Sequence, residues 1–162
     1  MCSSDLGDPV VVDIGGRMPS GYRSDCTRTY VIGAPHGIFA DAYDVLQRAQ
    51  AGAVAQVAPG RTCHDVDHYA RRVMGGHNVQ GTSLADFFIH RIGHGIGLES
   101  HENPYLVAGN DEILQEGMTF SIEPGFYVPG QFGARIEDIV ACTRGGADVL
   151  NTSPRDLVQV EP

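Results

Sequence analysis

Four acidic residues stand where a carboxylate is least expected, inside or beside apolar, strand-like runs. They are Asp13 in Val-Val-Val-Asp-Ile, Asp25 before Cys-Thr-Arg-Thr-Tyr, Glu123 in Phe-Ser-Ile-Glu-Pro and Glu137 in Ala-Arg-Ile-Glu-Asp-Ile. Each is costly to bury unpaired. An arginine partner or a backbone cap accounts for any one of them; four together call for a shared explanation. They fall into two pairs at similar separation, Asp13 with Asp25 and Glu123 with Glu137, which suits two antiparallel hairpins aiming their acids at one centre. Four clustered carboxylates do not all stay ionised without cations. The segment His90-Arg91-Ile92-Gly93-His94-Gly95-Ile96-Gly97-Leu98-Glu99-Ser100-His101 adds imidazoles, and the spacing of His90 and His94 puts them on one face of a helix or a strand. Glycines on both sides of His94 let the backbone approach something bound. One neutral imidazole and four carboxylates form an oxygen-rich donor set carrying four negative charges, which two divalent ions neutralise.

The elements that must position these groups are legible in outline. Val10 to Ile14 and Thr27 to Ile32 are β-rich runs separated by a Pro/Ser/Gly stretch, predicting an antiparallel hairpin. Apolar residues at Ile38, Ala42, Leu46, Ala49, Ala53 and Val57 predict a long amphipathic helix that stops at Pro59-Gly60. Thr62 and Asp65 resemble a capping box, and Val66, Ala70 and Val73 give a second helix ending near Gly75-Gly76. On it, Asp65, Asp67, Arg71 and Arg72 read as a solvated face. The polar stretch 76–86 reads as a surface excursion without periodicity. Met118 to Ile122 and Ala134 to Cys142 predict two strands around the segment 124–133, a second hairpin echoing the first.

Composition narrows the function. The chain has 162 residues, enough for one compact core, with 42% hydrophobic and 19% charged residues. With 11 basic against 20 acidic residues the net charge is −9, which argues against nucleic-acid and anionic-membrane partners. No apolar run reaches the ~20 residues of a membrane span and no signal peptide opens the chain, so a cytoplasmic protein is expected. The cysteines, Cys2, Cys26, Cys63 and Cys142, are scattered without a Cys-x-x-Cys pair and read as reduced.

Together, the stretches Val-Asp-Ile-Gly-Gly, Ser-Asp-Cys-Thr-Arg-Thr, the Gly/His segment with its following Glu-Asn-Pro, Phe-Ser-Ile-Glu-Pro-Gly-Phe-Tyr and Gly-Ala-Arg-Ile-Glu-Asp resemble the catalytic domain of the M24 metallopeptidases. Within that family the likeness is to the Xaa-Pro aminopeptidase and Xaa-Pro dipeptidase (prolidase) branch, over nearly all of residues 7–157. The resemblance implies the α/β pita-bread fold, an antiparallel sheet with two long helices. It implies two divalent metal ions, manganese first and cobalt, iron or zinc as alternatives. Asp13 would bind one metal, Asp25 and Glu137 would bridge, and His94 and Glu123 would hold the other. The implied reaction is hydrolysis of the Xaa-Pro bond of a peptide substrate by a metal-bridging hydroxide, with Glu123 shuttling the proton. His101 would contact the substrate carbonyl, His90 would line the proline-side pocket, and Arg135 would meet a substrate carboxylate or pair with Glu137 or Asp138.

Methionine aminopeptidases share the five ligands, and the Gly-Ala-Arg-Ile-Glu-Asp context favours the proline-specific branch over them. A non-catalytic peptide-binding module of the same fold is the rival from another class. The resemblance also marks departures. Residues 1–6 do not match and are expected to be a non-native leader, with 7–162 a partial, N-terminally truncated catalytic domain. The family's histidine upstream of the first aspartate has no counterpart here. The interval from Asp13 to Asp25 is one residue longer than the resemblance leads one to expect, which a longer hairpin turn around Pro19 absorbs. Apolar surface left uncovered by a missing lobe would favour a homodimer.

Overall fold

The computed structural model describes residues 6–161. Met1 to Asp5, most of the expected leader, lie outside the described residues, and Cys2 with them. The β-branched run of Val10, Val11 and Val12 forms β1 (Pro9–Asp13). After it come two short pieces, β2 (Gly16–Arg17) and β3 (Arg23–Ser24), and then β4 (Thr27–Ile32). β1 and β4 pair antiparallel with Asp13 opposite Thr27, as the sequence predicts. β2 and β3 pair across a turn containing Pro19, closed by the Met18 N–H on the Tyr22 carbonyl at 2.8 Å.

Helix α1 (Gly37–Gln56) carries the predicted long stripe, with Ala42, Leu46, Ala49 and Ala53 wholly buried; only its first position differs, Ile38 being 53% exposed while Phe39 enters the core. Helix α2 (Cys63–Gly75) opens on the predicted capping box, with the Thr62 hydroxyl accepting from the Asp65 N–H and the Asp65 carboxylate from the Thr62 N–H. Asp67 corrects the expectation of a solvated face. It is wholly buried, paired with Arg71 at 2.7 Å, and accepts the Ile92 N–H at 3.2 Å. A single amphipathic period cannot separate an exposed acid from one that holds a neighbouring loop.

The stretch after α2 is also better organised than its polarity suggests. β5 (Asn78–Val79) and β6 (Thr82–Ser83) form a small hairpin followed by a 3-10 turn at Leu84–Phe87. Val79 and Leu84 anchor it in the core, two contacts too few to make a period.

The second half builds the main sheet. Its strands are β7 (Gly93–Gly95), β8 (Glu102–Leu106), β9 (Thr119–Ile122), β10 (Gly125–Val128), β11 (Phe132–Arg135), β12 (Asp138–Thr143) and β13 (Gly146–Val149). Five of them run antiparallel in the order β13-β12-β9-β7-β8. The run from Ala134 to Cys142 is therefore two strands, not one. β11 pairs with β10 and β12 pairs with β9, and the changeover falls at Ile136-Glu137. Pro124, which has no N–H to give a ladder, marks the matching break on the other side, and its carbonyl accepts the Ile136 N–H at 3.3 Å. β14 (Val158–Val160) lies parallel to β4, the one parallel pair among the described strands.

Both helices contribute to one core with the sheets, through Phe39, Leu46, Val66, Met74, Phe120 and Phe126. Among the described residues, no helix is long and apolar enough to cross a membrane.

Candidate metal centre

Each of the four candidate carboxylates sits at an end or a break of a strand, where the chain stops satisfying a ladder and frees a side chain. Asp13 ends β1; Asp25 lies between β3 and β4, its Oδ1 accepting the Cys26 N–H at 3.1 Å. Glu123 follows β9 and Glu137 lies between β11 and β12. Only His94 is inside a strand, in β7, buried against Ser121, whose hydroxyl accepts the His94 N–H at 3.0 Å.

The sheets are stitched together at this point. The Glu137 N–H donates to the Thr27 carbonyl at 3.1 Å, and the Thr27 hydroxyl donates to Glu137 Oε2 at 2.7 Å. The glycines flanking His94 make close packing possible: a β-carbon on Gly93 would stand 1.9 Å from the Ser121 carbonyl oxygen, and one on Gly95 would stand 2.2 Å from that of Asn103. No side chain fits in either place.

Asp25, His94 and Glu137 each bring a ligand atom to within 4.8 Å of the others'. Glu123 joins them through Oε1, which lies 3.2 Å from His94 Nε2 and accepts the Ser121 hydroxyl at 3.0 Å. Asp13 reaches the group through a hydrogen bond with Asp25 and is also held by Arg135 at 2.6 Å. The five residues thus meet, with Asp25, His94 and Glu137 at the centre. Arg135 does not pair with Glu137 or Asp138. Asp138 points the other way, wholly buried, and is held by Arg28 at 2.6 Å, Gln50 at 2.9 Å and Arg155.

Crowding shows in the proton affinities. Burial, followed by the negative charge of Glu123, raises the Glu137 carboxyl to about 8, against the pull of the Thr27 hydroxyl. Burial and then the adjacent Asp13 raise Asp25 to about 6. Burial by itself would depress His94, but its hydrogen bonds to Glu123 and the Gly95 carbonyl hold it above its ordinary value. His94 Nδ1 faces the Gly95 carbonyl at 3.0 Å, which turns Nε2 toward the acids. Oxygen donors this close, with one imidazole nitrogen turned into them, fit divalent cations. The cluster can hold protons or metal, and its unneutralised form is costly.

The site opens on a cavity of about 220 Å3 lined by His90, Arg91, His101, Glu123 and Arg135. The three substrate-facing candidates, His90, His101 and Arg135, are all on its wall. The His101 ring lies 4.1 Å from that of His94 and is exposed; desolvation first, then the neighbouring His94 and Arg91, lower its pKa, so it stands neutral at pH 7. His90 is half-buried between Phe88 and Tyr127, with Nδ1 on the Arg91 carbonyl at 2.7 Å and Nε2 buried without a partner. Sequence reasoning missed Thr27, Ser121, Tyr127 and Arg91. Ser121 was within reach, two residues before Glu123 on the same strand face. Thr27 and Tyr127 act across chain-distant contacts that leave no local pattern.

Residues 4–144 match metallopeptidase family M24. The sequence is 54% identical over 154 residues to a probable dipeptidase PepE of Mycobacterium bovis, spanning 95% of this chain and 40% of that protein. It is 40% identical over 154 residues to the Xaa-Pro dipeptidase of Pyrococcus furiosus, spanning 95% of this chain and 42% of that one. The solved structure of dipeptidase PepE from Mycobacterium ulcerans superposes with a TM-score of 0.92 at 54% identity, over 98% of this chain and 41% of its own. The chain spans about two-fifths of the length of these relatives. Because the family match runs through all five clustered residues and the superposition covers nearly every described strand, the chain belongs to metallopeptidase family M24 and has its pita-bread fold.

Proposed function

We propose that this protein is a metal-dependent peptidase that hydrolyses the Xaa-Pro bond of dipeptides. The observation that carries the reading is the convergence of Asp25, His94 and Glu137 to within 4.8 Å, with Asp13 and Glu123 hydrogen-bonded to that group. Asp13, Asp25 and Glu137 would hold one divalent cation, and Asp25, Glu137, His94 and Glu123 a second, manganese being the first choice for so oxygen-rich a set. Such cations supply a nucleophile at neutral pH by lowering the pKa of water and polarise the scissile carbonyl.

The chain's own groups do the rest. Glu123 has Oε1 engaged by Ser121 and His94, and its Oε2, 3.9 Å from Arg135 Nε, is the oxygen that would carry a proton toward the leaving nitrogen. Neutral His101 donates its ring N–H to the substrate carbonyl oxygen from the cavity wall. His90, packed against the rings of Phe88 and Tyr127 behind it, gives the cavity wall a flat aromatic face suited to a proline ring. The names of relatives, a probable dipeptidase and an Xaa-Pro dipeptidase, support the same substrate class.

The test is metal analysis of the purified chain beside hydrolysis of Ala-Pro and of Met-Ala, with Asp25→Asn and Glu137→Gln as controls. Expected are bound divalent metal, release of proline only, and loss of metal in both controls. Full metal occupancy in both controls would overturn the ligand assignment, and release of methionine without proline would move the protein to another specificity.

A further inference from the structure

Among the described residues, one cation on the cavity wall has neither an ion-pair partner nor a hydrogen bond at its buried Nε. It is Arg91, which lines the cavity beside His90. Its guanidinium carbon lies 4.9 Å from the centre of the Tyr105 ring, a cation–π contact that leaves its hydrogen-bond donors unused. No carboxylate among the described residues pairs with it, in contrast to Arg28, Arg71, Arg135, Arg144 and Arg155. A half-buried guanidinium beside a ligand cavity calls for an anion, and the planar fork matches a carboxylate.

The other arginine on the wall is already engaged at each nitrogen. Arg135 Nε donates to the Thr27 hydroxyl at 3.2 Å, Nη1 to the Tyr127 hydroxyl at 2.7 Å and Nη2 to Asp13 at 2.6 Å. Arg135 therefore ties Asp13 to the sheet, and the expectation that it meets the substrate carboxylate passes to Arg91. The cavity that Arg91 lines has a volume of about 220 Å3 and holds His90 and His101 on the same wall.

We propose that Arg91 receives the free C-terminal carboxylate of the substrate, so that the site selects peptides ending one residue after the scissile bond. This rests on the peptidase reading, and makes Arg91 the residue that restricts it to dipeptides.

The test compares Ala-Pro with Ala-Pro amide on the manganese-loaded chain and on Arg91→Gln and Arg91→Lys. A charge-assisted bond to a carboxylate predicts a KM for the acid about 10- to 100-fold below that for the amide. Arg91→Gln should erase that preference by raising KM for the acid alone, and Arg91→Lys should restore part of it. Equal losses on acid and amide, or a preference that survives Arg91→Gln, would overturn the proposal.

Two further measurements need no turnover. Calorimetry should show L-proline binding more tightly than L-prolinamide, and the zinc-loaded protein should show the Arg91 Nε–H resonance moving with the acid and not the amide. If neither peptide is cleaved but these differences remain, the catalytic reading fails and the carboxylate site stands. An Arg91 resonance indifferent to the acid overturns the site, whether or not the variants fold.

Discussion

Loading the centre with divalent cations should expel protons, because its acids are held protonated by burial and by one another. Glu137 titrates at about 8 and Asp25 at about 6, against ordinary values of 4.5 and 3.8. At pH 7 the first is roughly nine-tenths protonated and the second roughly one-tenth, so metal displaces about one proton per chain, and His94 adds a fraction. By the same arithmetic the carboxyl contribution is about one and a half protons at pH 6 and falls to about a tenth at pH 9. Affinity for the metal must then climb as pH rises from 6 to 8.

Calorimetric titration of Mn2+ in buffers of different ionisation enthalpy reads the count directly, as the slope of observed against buffer enthalpy. A slope near zero at both pH 6 and pH 7, with binding intact, would refute the picture of crowded, protonated acids. The sign carries over to stability. Acids whose pKa is raised by folding contribute stability that is complete below their unfolded values, near 4, and lost as pH rises through 6 to 8. The metal-free chain should therefore melt lower at pH 8.5 than at pH 5.5, and metal should narrow that difference.

Thr27→Val keeps the shape of the side chain while removing the donor to Glu137 Oε2 and the acceptor for Arg135 Nε. It should cost about 1–3 kcal/mol in urea unfolding of the metal-free protein. Gly93→Ala forces a β-carbon into the Ser121 carbonyl and should part β7 from β9, lowering Tm by roughly 10 °C or leaving the chain insoluble. Gly97→Ala, which meets only the mobile end of Glu102, should be far milder by the same thermal melt. Asp138→Asn strips the buried charge that Arg28 and Arg155 share, and denaturant titration should show a loss of about 3–5 kcal/mol.

By itself the sequence determined the local elements and the chemistry of the centre. β-branched runs and turn residues announced β1 and β4, the capping box announced α2, and acids inside apolar runs singled out Asp13, Asp25, Glu123 and Glu137 because burying a lone carboxylate is expensive. These signals are local: propensity, period and desolvation act within a few residues. What only the tertiary structure decided are the pairings between distant segments. Asp67, read as solvated, is buried because the loop at Ile92 needs an acceptor. The strand expected over Ala134 to Cys142 divides because β10 and β9 each claim half of it. Arg135 and Arg91 look equally fit for a substrate carboxylate in sequence, and they separate only once Thr27, Tyr127 and Asp13 are seen to occupy the first, leaving the second unpartnered over Tyr105. Which charge meets which depends on how the sheets are stacked, and no nearest-neighbour pattern along the chain encodes that.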